Sequence, residues 1–187
     1  MKARHSDSLV LTWQVAELEA RRLHAPFIEP NHLLIGLCKI VDIDLTLLIT
    51  KDMADRDGIL EELLREVRRV RTVFRTAGVD ACTLRRKLRR TCEGSHDALV
   101  PKGRLHRTQA SKDVFADAEH FAEIDGSAVF PIQLLYALLL SKDGERDEVL
   151  AGEGIVVKRL QDAAKREALL GRDLKIVGTS RSKRQLN

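Results

Sequence analysis

Residues 28–37 read Ile28-Glu29-Pro30-Asn31-His32-Leu33-Leu34-Ile35-Gly36-Leu37, and residues 129–138 read Val129-Phe130-Pro131-Ile132-Gln133-Leu134-Leu135-Tyr136-Ala137-Leu138. Both stretches contain a proline, then a Leu-Leu pair, then a small residue, and the second stretch follows the first at an offset of 101 positions. Proline is favoured at the first position of a helix, where its missing N–H costs nothing. The chain therefore contains an internal duplication, and each copy has an apolar helix that begins at a proline.

A second pair of landmarks follows in the same order. Gly78-Val79 with Leu84 corresponds to Gly154-Ile155 with Leu160, at an offset of 76 positions. The distance from the proline to the glycine is 48 positions in the first copy and 23 in the second, so the first copy holds 25 additional residues. We expect this expansion either to lengthen one helix or to build a new partner surface.

The composition favours a soluble helical protein with an aliphatic core, because 44% of the residues are hydrophobic and 4% are aromatic. No apolar run approaches the roughly 20 residues of a membrane-spanning helix, and the N-terminus has no signal-peptide pattern. The three cysteines are odd in number and form no C-x-x-C motif, which indicates reduced thiols. We therefore predict a cytoplasmic protein.

The apolar periodicity is helical along almost the whole chain. The first apolar stripe consists of Leu9, Trp13, Ala16, Ala20 and Leu23. Further helices are predicted at about 30–40, 59–74, 81–90, 111–122, 131–140, 145–151 and 157–169. Gly78 suits a left-handed helix C-terminus, and Asp80 and Ser111 suit helix N-caps. The predicted fold class is all-α, a pseudo-twofold double repeat of two four-helix units that bury their apolar faces against each other.

The landmarks also predict a division of the chain. Residues 1–92 form repeat one with its 25-residue expansion, residues 93–107 form a linker rich in turn-forming residues, and residues 108–170 form repeat two. Residues 171–187 are expected to be a basic, disordered tail.

The residues that carry these signals resemble a known family. Ala16-Glu17-Leu18-Glu19-Ala20, the stretch from Phe27 to Leu37, and Gly78-Val79 are similar to the Clp N-terminal repeat domain, which precedes the ATPase rings of Clp-type AAA+ chaperones and unfoldases. The resemblance covers about Leu9 to Leu169, and Leu170-Gly171-Arg172-Asp173-Leu174 resembles the start of the linker that leads into the first ATPase module.

The resemblance implies a non-catalytic protein-interaction domain, not an enzyme. Its expected partners are an adaptor protein or an unfolded substrate segment, together with a Clp-type AAA+ ATPase, and it implies no cofactor. Some family members bind phosphorylated arginine through a glutamate, but Asn31 and Ile132 occupy those positions here. The sequence has no G-x-x-x-x-G-K-[ST] motif for a phosphate-binding loop. Whether the chain stands alone or is part of a longer ATPase stays open.

Amphipathicity places the predicted partner surface in the groove between the copies, at Leu9, Trp13, Val114 and Phe115. The alternative is a basic helical module that binds nucleic acid, because Arg85, Arg86, Arg89 and Arg90 share one side of a predicted helix and could contact phosphates. Glu29-x-x-His32 and Asp117-x-x-His120 have metal-ligand residue types, but the predicted helices are too short for a paired site, so no metal is expected.

Overall fold

The computed structural model describes residues 4–47, 56–92, 103–123 and 128–168, and these residues are helical apart from their connections. The first copy consists of α1 (Asp7–Arg22), α2 (Pro30–Asp42), a 3₁₀ turn (Leu45–Leu47), α3 (Arg56–Ala77) and α4 (Ala81–Thr91). The second copy consists of α5 (Gln109–Glu123), α6 (Pro131–Leu140), α7 (Gly144–Gly152) and α8, which is helical over residues 157–168. Four helices per copy were predicted, and the described residues confirm them. The predicted last residue of α8, Leu169, and the predicted tail lie outside the described residues.

The second helix of each copy begins in the same way. Pro30 and Pro131 are the first residues of α2 and α6. Three positions after the N-cap residue, the side chain of His32 or Gln133 folds back and accepts the N-cap N–H. The distances are 3.1 Å from the Glu29 nitrogen to His32 Nδ1 and 3.0 Å from the Phe130 nitrogen to Gln133 Oε1. The proline stretches are thus equivalent helix starts.

Within the described ranges, two short backbone bridges join the copies, and they are related by pseudo-twofold symmetry. His5, two positions before α1, pairs in parallel with Val129, and Ile28 pairs in parallel with Arg107; each of these residues lies two positions before its helix. Val129 and Ile28 each donate a backbone N–H to the other copy and accept one from it, with N···O distances of 2.8–3.1 Å. Because each copy supplies the same two segments, the bridges define a twofold relation between the repeats.

The third helix of each copy ends at a left-handed glycine, as predicted for Gly78. Gly78 has φ +73° and Gly154 has φ +69°. The next amide donates five residues back, from Val79 to the Phe74 carbonyl at 2.8 Å and from Ile155 to the Leu150 carbonyl at 3.0 Å. This is the hydrogen bond of a Schellman C-terminus, so both copies leave the helix by the same turn.

The expansion of the first copy lengthens one helix. The helix α3 has 22 residues, whereas its counterpart α7 has 9. The remaining extra residues fall mainly between α2 and α3, where residues 48–55 lie outside the described part of the chain.

The helix α2 lies at the centre of a core that both copies share. Its Leu33, Leu34 and Leu37 have no exposed surface, and one continuous apolar cluster joins them to residues of α5 and α6. At Gly36 the helices α1 and α2 cross so closely that an added Cβ would lie 2.7 Å from the Thr12 carbonyl oxygen. The copies therefore fold as one body, as the all-α double repeat predicts.

One predicted helix cap is wrong. Ser111 lies inside α5, and Thr108 is the residue whose hydroxyl accepts a backbone N–H, from Ser111 at 3.2 Å. The Ser111 hydroxyl is buried and donates to the Ile28 carbonyl at 2.8 Å. Thr108 and Ser111 both have side chains that suit an N-cap, and they lie three positions apart, so the sequence alone could not distinguish them. The bridge between Ile28 and Arg107 places Thr108 at the helix start.

In the described part of the chain, no helix combines the length and the apolarity that a membrane crossing would need.

Candidate partner-binding surface

An aromatic pair lies where the two copies meet. Trp13 of α1 and Phe115 of α5 are equivalent under the twofold relation, and their rings meet edge to face with centroids 6.4 Å apart. Both helices are amphipathic, so their apolar stripes face each other across the repeat boundary. We call the outer side of this contact the seam. It consists of Val10 and Trp13 of α1 together with residues 104–107, and it is flanked by Glu17 of α1 and Glu119 of α5.

Burial corrects most of the predicted partner surface. Leu9 is 0% exposed, Val114 1% and Phe115 2%, so these three side chains belong to the core and offer a partner no contact area. Trp13 is only partly buried and remains accessible at the seam. Amphipathicity identified the apolar faces of α1 and α5 correctly. These two faces pack against each other, so most of their residues are buried.

Two arginines cover the accessible ring of Trp13. The guanidinium carbon of Arg104 lies 4.8 Å from the centre of the indole, and that of Arg107 lies 5.2 Å from it and 4.6 Å from the centre of the Phe115 ring. Cations over aromatic faces at such distances are attracted by the ring quadrupole. Neither arginine has an ion-pair partner among the residues that the structure describes.

The segment that carries these arginines is fixed against the first copy. Leu105 is 2% exposed, and its N–H donates to Glu17 Oε1 at 3.2 Å. The bridge from Arg107 to Ile28 holds the other end of the segment. Residues 103–107, which the sequence assigned to a linker, are therefore an ordered edge of the seam.

Carboxylates flank the seam. Glu119 accepts from His5 Nε2 at 3.1 Å, and Glu17 accepts from Arg21 Nη2 at 2.7 Å. Burial on its own would raise the pKa of Glu17, but hydrogen bonds from Arg21 and the Leu105 N–H outweigh this effect and hold the pKa below its ordinary value. The seam thus combines an aromatic floor, two arginines outside any ion pair of the described residues and a carboxylate on either side, and the Glu17 carboxylate interacts electrostatically with Arg104.

The predicted anionic-partner patch on α4 is divided between two faces. Arg85 lies 3.3 Å from Asp42, and Arg89 contacts Glu19 at 2.6 Å, so both turn inward. Arg86 and Arg90 are exposed. The prediction of one four-arginine surface is therefore wrong, because residues at i and i+4 on α4 are used to hold α4 against α1 and α2.

A buried carboxylate organises this inner contact. Glu19 is 1% exposed, and it accepts from Lys39 Nζ at 2.9 Å and from Arg89 Nε at 2.8 Å. Burial on its own would raise the pKa of Glu19, but the hydrogen bonds from Lys39 and Arg89 outweigh it and hold the pKa below the ordinary value. The network ties α1, α2 and α4 together.

His32, Cys38 and Cys92 are buried in the core. His32 is fully buried at the start of α2, and burial lowers its pKa to about 4. Burial raises the pKa of Cys92 to about 11 and raises that of Cys38 further. Among the described residues, no three His, Cys, Asp or Glu side chains are grouped so that they could hold a metal ion.

Sequence reasoning missed Arg104 and Arg107. Turn residues before them led to a linker assignment, and the two arginines are too few to form a charge run. One signal could have found Arg107, because the offset of 102 positions that relates Trp13 to Phe115 also relates His5 to Arg107. Applying it would have placed Arg107 at the start of a helix beside the repeat boundary.

Solved structures share this architecture over most of the chain. The Hsp104 N-terminal domain from Candida albicans superposes with a TM-score of 0.57 at 14% sequence identity, covering 86% of this chain and 89% of that one. The N-terminal domain of the caseinolytic protease associated chaperone ClpD from Arabidopsis thaliana gives 0.55 at 17% identity, covering 87% and 93%. A structure from a malarial protein secretion system gives 0.57 at 16% identity, covering 89% and 95%.

These likenesses establish the fold. The chain has the helical double-repeat fold of the N-terminal domains of Clp-type and Hsp104 chaperones, as the sequence resemblance predicted. At the level of sequence, no family model and no curated protein matches the chain.

Proposed function

We propose that this chain is a non-catalytic interaction domain that binds adaptor proteins or unfolded polypeptide segments for a Clp-type AAA+ ATPase in the cytoplasm. The observation that carries the proposal is the fold, which covers nearly the whole chain and matches the N-terminal domains of Hsp104 and ClpD. A fold alone does not define a function, so the binding surface supplies the second argument.

The seam has the features of a polypeptide-binding surface. Trp13 is partly exposed and lies under two arginines, and Val10, which is 38% exposed, lies one helical turn away on α1. Aromatic and arginine side chains contribute more to protein interfaces than most other residue types. Because backbone bridges fix the seam on both sides, binding there costs little ordering of the domain itself.

The test compares an unfolded protein with its folded form. A reduced, carboxymethylated protein and the same protein in its native state are titrated into the chain by calorimetry, and a Clp-type ATPase is tested separately. The proposal expects binding of the unfolded form and not of the folded one. If neither the unfolded protein nor the ATPase binds at concentrations that saturate comparable domains, the proposal is wrong.

The nucleic-acid alternative is tested in the same format. Arg86 and Arg90 are the two members of the α4 patch that remain exposed. A DNA duplex that binds the chain, loses affinity steeply with added salt and loses it again in the Arg86→Gln/Arg90→Gln variant would replace the proposed function.

A further inference from the structure

Arg104 and Arg107 differ from Arg85 and Arg89 of α4 in having no carboxylate of the described residues in ion-pair contact. Arg85 and Arg89 meet Asp42 and Glu19. Arg104 and Arg107 lie instead over the ring of Trp13, 4.8 and 5.2 Å from its centre, and no ion pair to either exists within the described residues. Both guanidinium groups lie within about 5 Å of the same indole centre, and the Glu17 carboxylate interacts with Arg104 without forming an ion pair, so a ligand carboxylate could supply the direct contact that neither arginine has among these residues.

The two guanidinium groups are preorganised. The backbone between Arg104 and Arg107 is fixed, because Leu105 is buried and donates its N–H to Glu17, and the His106 carbonyl accepts the Ile28 N–H. A guanidinium group held over an aromatic ring still has five N–H donors that a ligand can reach. Such donors bind a carboxylate in a bidentate manner, and charge-assisted hydrogen bonds are the strong ones.

The surroundings determine what kind of anion fits. Glu17 and Glu119 flank the seam, and each already has a basic partner in Arg21 or His5. A polyanion with regularly spaced phosphates would meet these carboxylates on either side, whereas a single carboxylate would not. Val10 and the indole edge of Trp13 offer apolar area next to the cations.

Building on the proposed function, we infer that the seam binds a short acidic and aliphatic segment of an unfolded polypeptide, whose Asp or Glu carboxylate is held by Arg104 and Arg107 while a neighbouring aliphatic side chain packs on Val10 and on the edge of the Trp13 ring. The ligand is therefore selected by the combination of charge and apolarity. Basic segments are repelled by the arginines, and apolar segments without a carboxylate leave them unpaired.

The experiment uses two short fluorescein-labelled peptides that differ in charge. One is rich in Glu and Leu, and the other has Gln at every Glu position. Binding is measured by anisotropy, and Trp13, the only tryptophan of the chain, reports on the seam through its fluorescence. We expect the Glu peptide to bind at least about tenfold more tightly than the Gln peptide, since hydrogen bonds to charged groups contribute more than neutral ones. Its binding should also shift the Trp13 emission.

A charge-matched pair of variants locates the effect. Arg104→Gln/Arg107→Gln and Arg86→Gln/Arg90→Gln each remove two positive charges, but only the first pair lies at the seam. We expect the first variant to bind the Glu peptide at least about tenfold more weakly and the second to stay within about twofold of the wild type. Arg104→Lys/Arg107→Lys keeps the charge and should fall between them, because lysine does not reproduce the stacked, bidentate geometry.

Three results would overturn the inference. The first is equal weakening in both glutamine variants, which indicates unspecific charge attraction. The second is equal affinity for the Glu and Gln peptides. The third is a DNA oligonucleotide that displaces the Glu peptide from the seam with higher affinity. If unfolded protein binds while the peptides show one of these results, the proposed function stands and the acidic specificity fails; if no unfolded protein binds, the proposed function fails with it.

Discussion

At the scale of single residues, the duplication shows which side chains can replace each other. His32 and Gln133 stand at the same position of α2 and α6, and both accept the N–H of the N-cap residue. The imidazole ring, however, can take up a proton, whereas the amide cannot. Burial lowers the pKa of His32 to about 4 from an ordinary value of 6.5, so the folded chain holds it in the neutral form.

This difference predicts the pH dependence of stability. The unfolded chain takes up a proton at His32 near pH 6.5, and the folded chain does so only near pH 4. The stability is therefore complete above pH 6.5 and falls as the pH drops through this window. In His32→Gln the slope between pH 6 and 5 should shrink by about 1.4 kcal/mol per pH unit. Urea unfolding at several pH values measures it, and His120→Gln, at an exposed histidine, serves as the control. Equal slopes in His32→Gln and wild type would contradict the assignment.

Glu19 is the residue whose loss should cost most. Replacing it with Gln leaves Lys39 and Arg89 without their buried anion. We expect Glu19→Gln to lower the free energy of unfolding by about 3–5 kcal/mol, the usual cost of breaking a buried ion pair. The same change at Glu62, whose pair with Arg65 is exposed, should cost less than about 1 kcal/mol. Denaturant unfolding of both variants compares them, and similar losses would refute the role of the network.

Glu19 also makes the stability fall at low pH, but for a different reason from His32: folding favours the charged form of Glu19 and the neutral form of His32. The pKa of Glu19 is lowered in the folded chain, so its stabilisation is present above the ordinary value of 4.5 and is lost as the pH falls through the lowered pKa. In Glu19→Gln this loss below pH 4.5 should be absent.

At the scale of helices, most boundaries could be predicted because the ends carry strong local signals. Proline at the start of α2 and α6, and glycine after α3, fixed their ends to within two or three residues of the observed positions. Thr108 and Ser111 could not be distinguished by such signals, because both are good caps. The close crossing at Gly36 was likewise beyond local patterns, since the Thr12 carbonyl that it meets belongs to another helix.

The left-handed glycines allow a prediction at this scale. Gly78 has φ +73° and nothing within 4 Å of an added Cβ, so Gly78→Ala tests the backbone conformation alone. It should cost about 1–2 kcal/mol. Gly152, which also has free space but lies inside the end of α7, is the matched control. Its replacement by Ala should be neutral or stabilising by up to about 1 kcal/mol. Thermal unfolding measures both, and a Gly78→Ala chain as stable as wild type would contradict the shared Schellman ends.

At the scale of the whole molecule, the two copies share one core, so they should unfold together. Trp13 reports on the boundary between the copies and far-UV circular dichroism reports on all helices. The two signals should give coincident transitions in urea, as expected of a two-state domain. Leu135→Ala, in the buried face of α6, should shift both signals equally. Separate transitions would show that the copies are independent units.

The sequence predicted the architecture better than the candidate site, for a physical reason. The duplication and the helical periodicity are encoded in many residues at once, so single ambiguities do not disturb them. The predicted surface at Leu9, Val114 and Phe115 failed because amphipathicity marks which side of a helix is apolar and not whether another helix covers it. Arg104 and Arg107 could not be recognised as site residues from local patterns, because the ring that they contact belongs to Trp13, about ninety positions away in the sequence.

The central proposal is that the seam binds other polypeptides. Amide chemical shifts of the isotope-labelled chain, recorded as a reduced, carboxymethylated protein is added, test this most directly. We expect amide shifts that saturate and cluster on α1, on the start of α5 and at residues 103–107. Saturating shifts confined to α3 and α4, or no shifts at all, would contradict it.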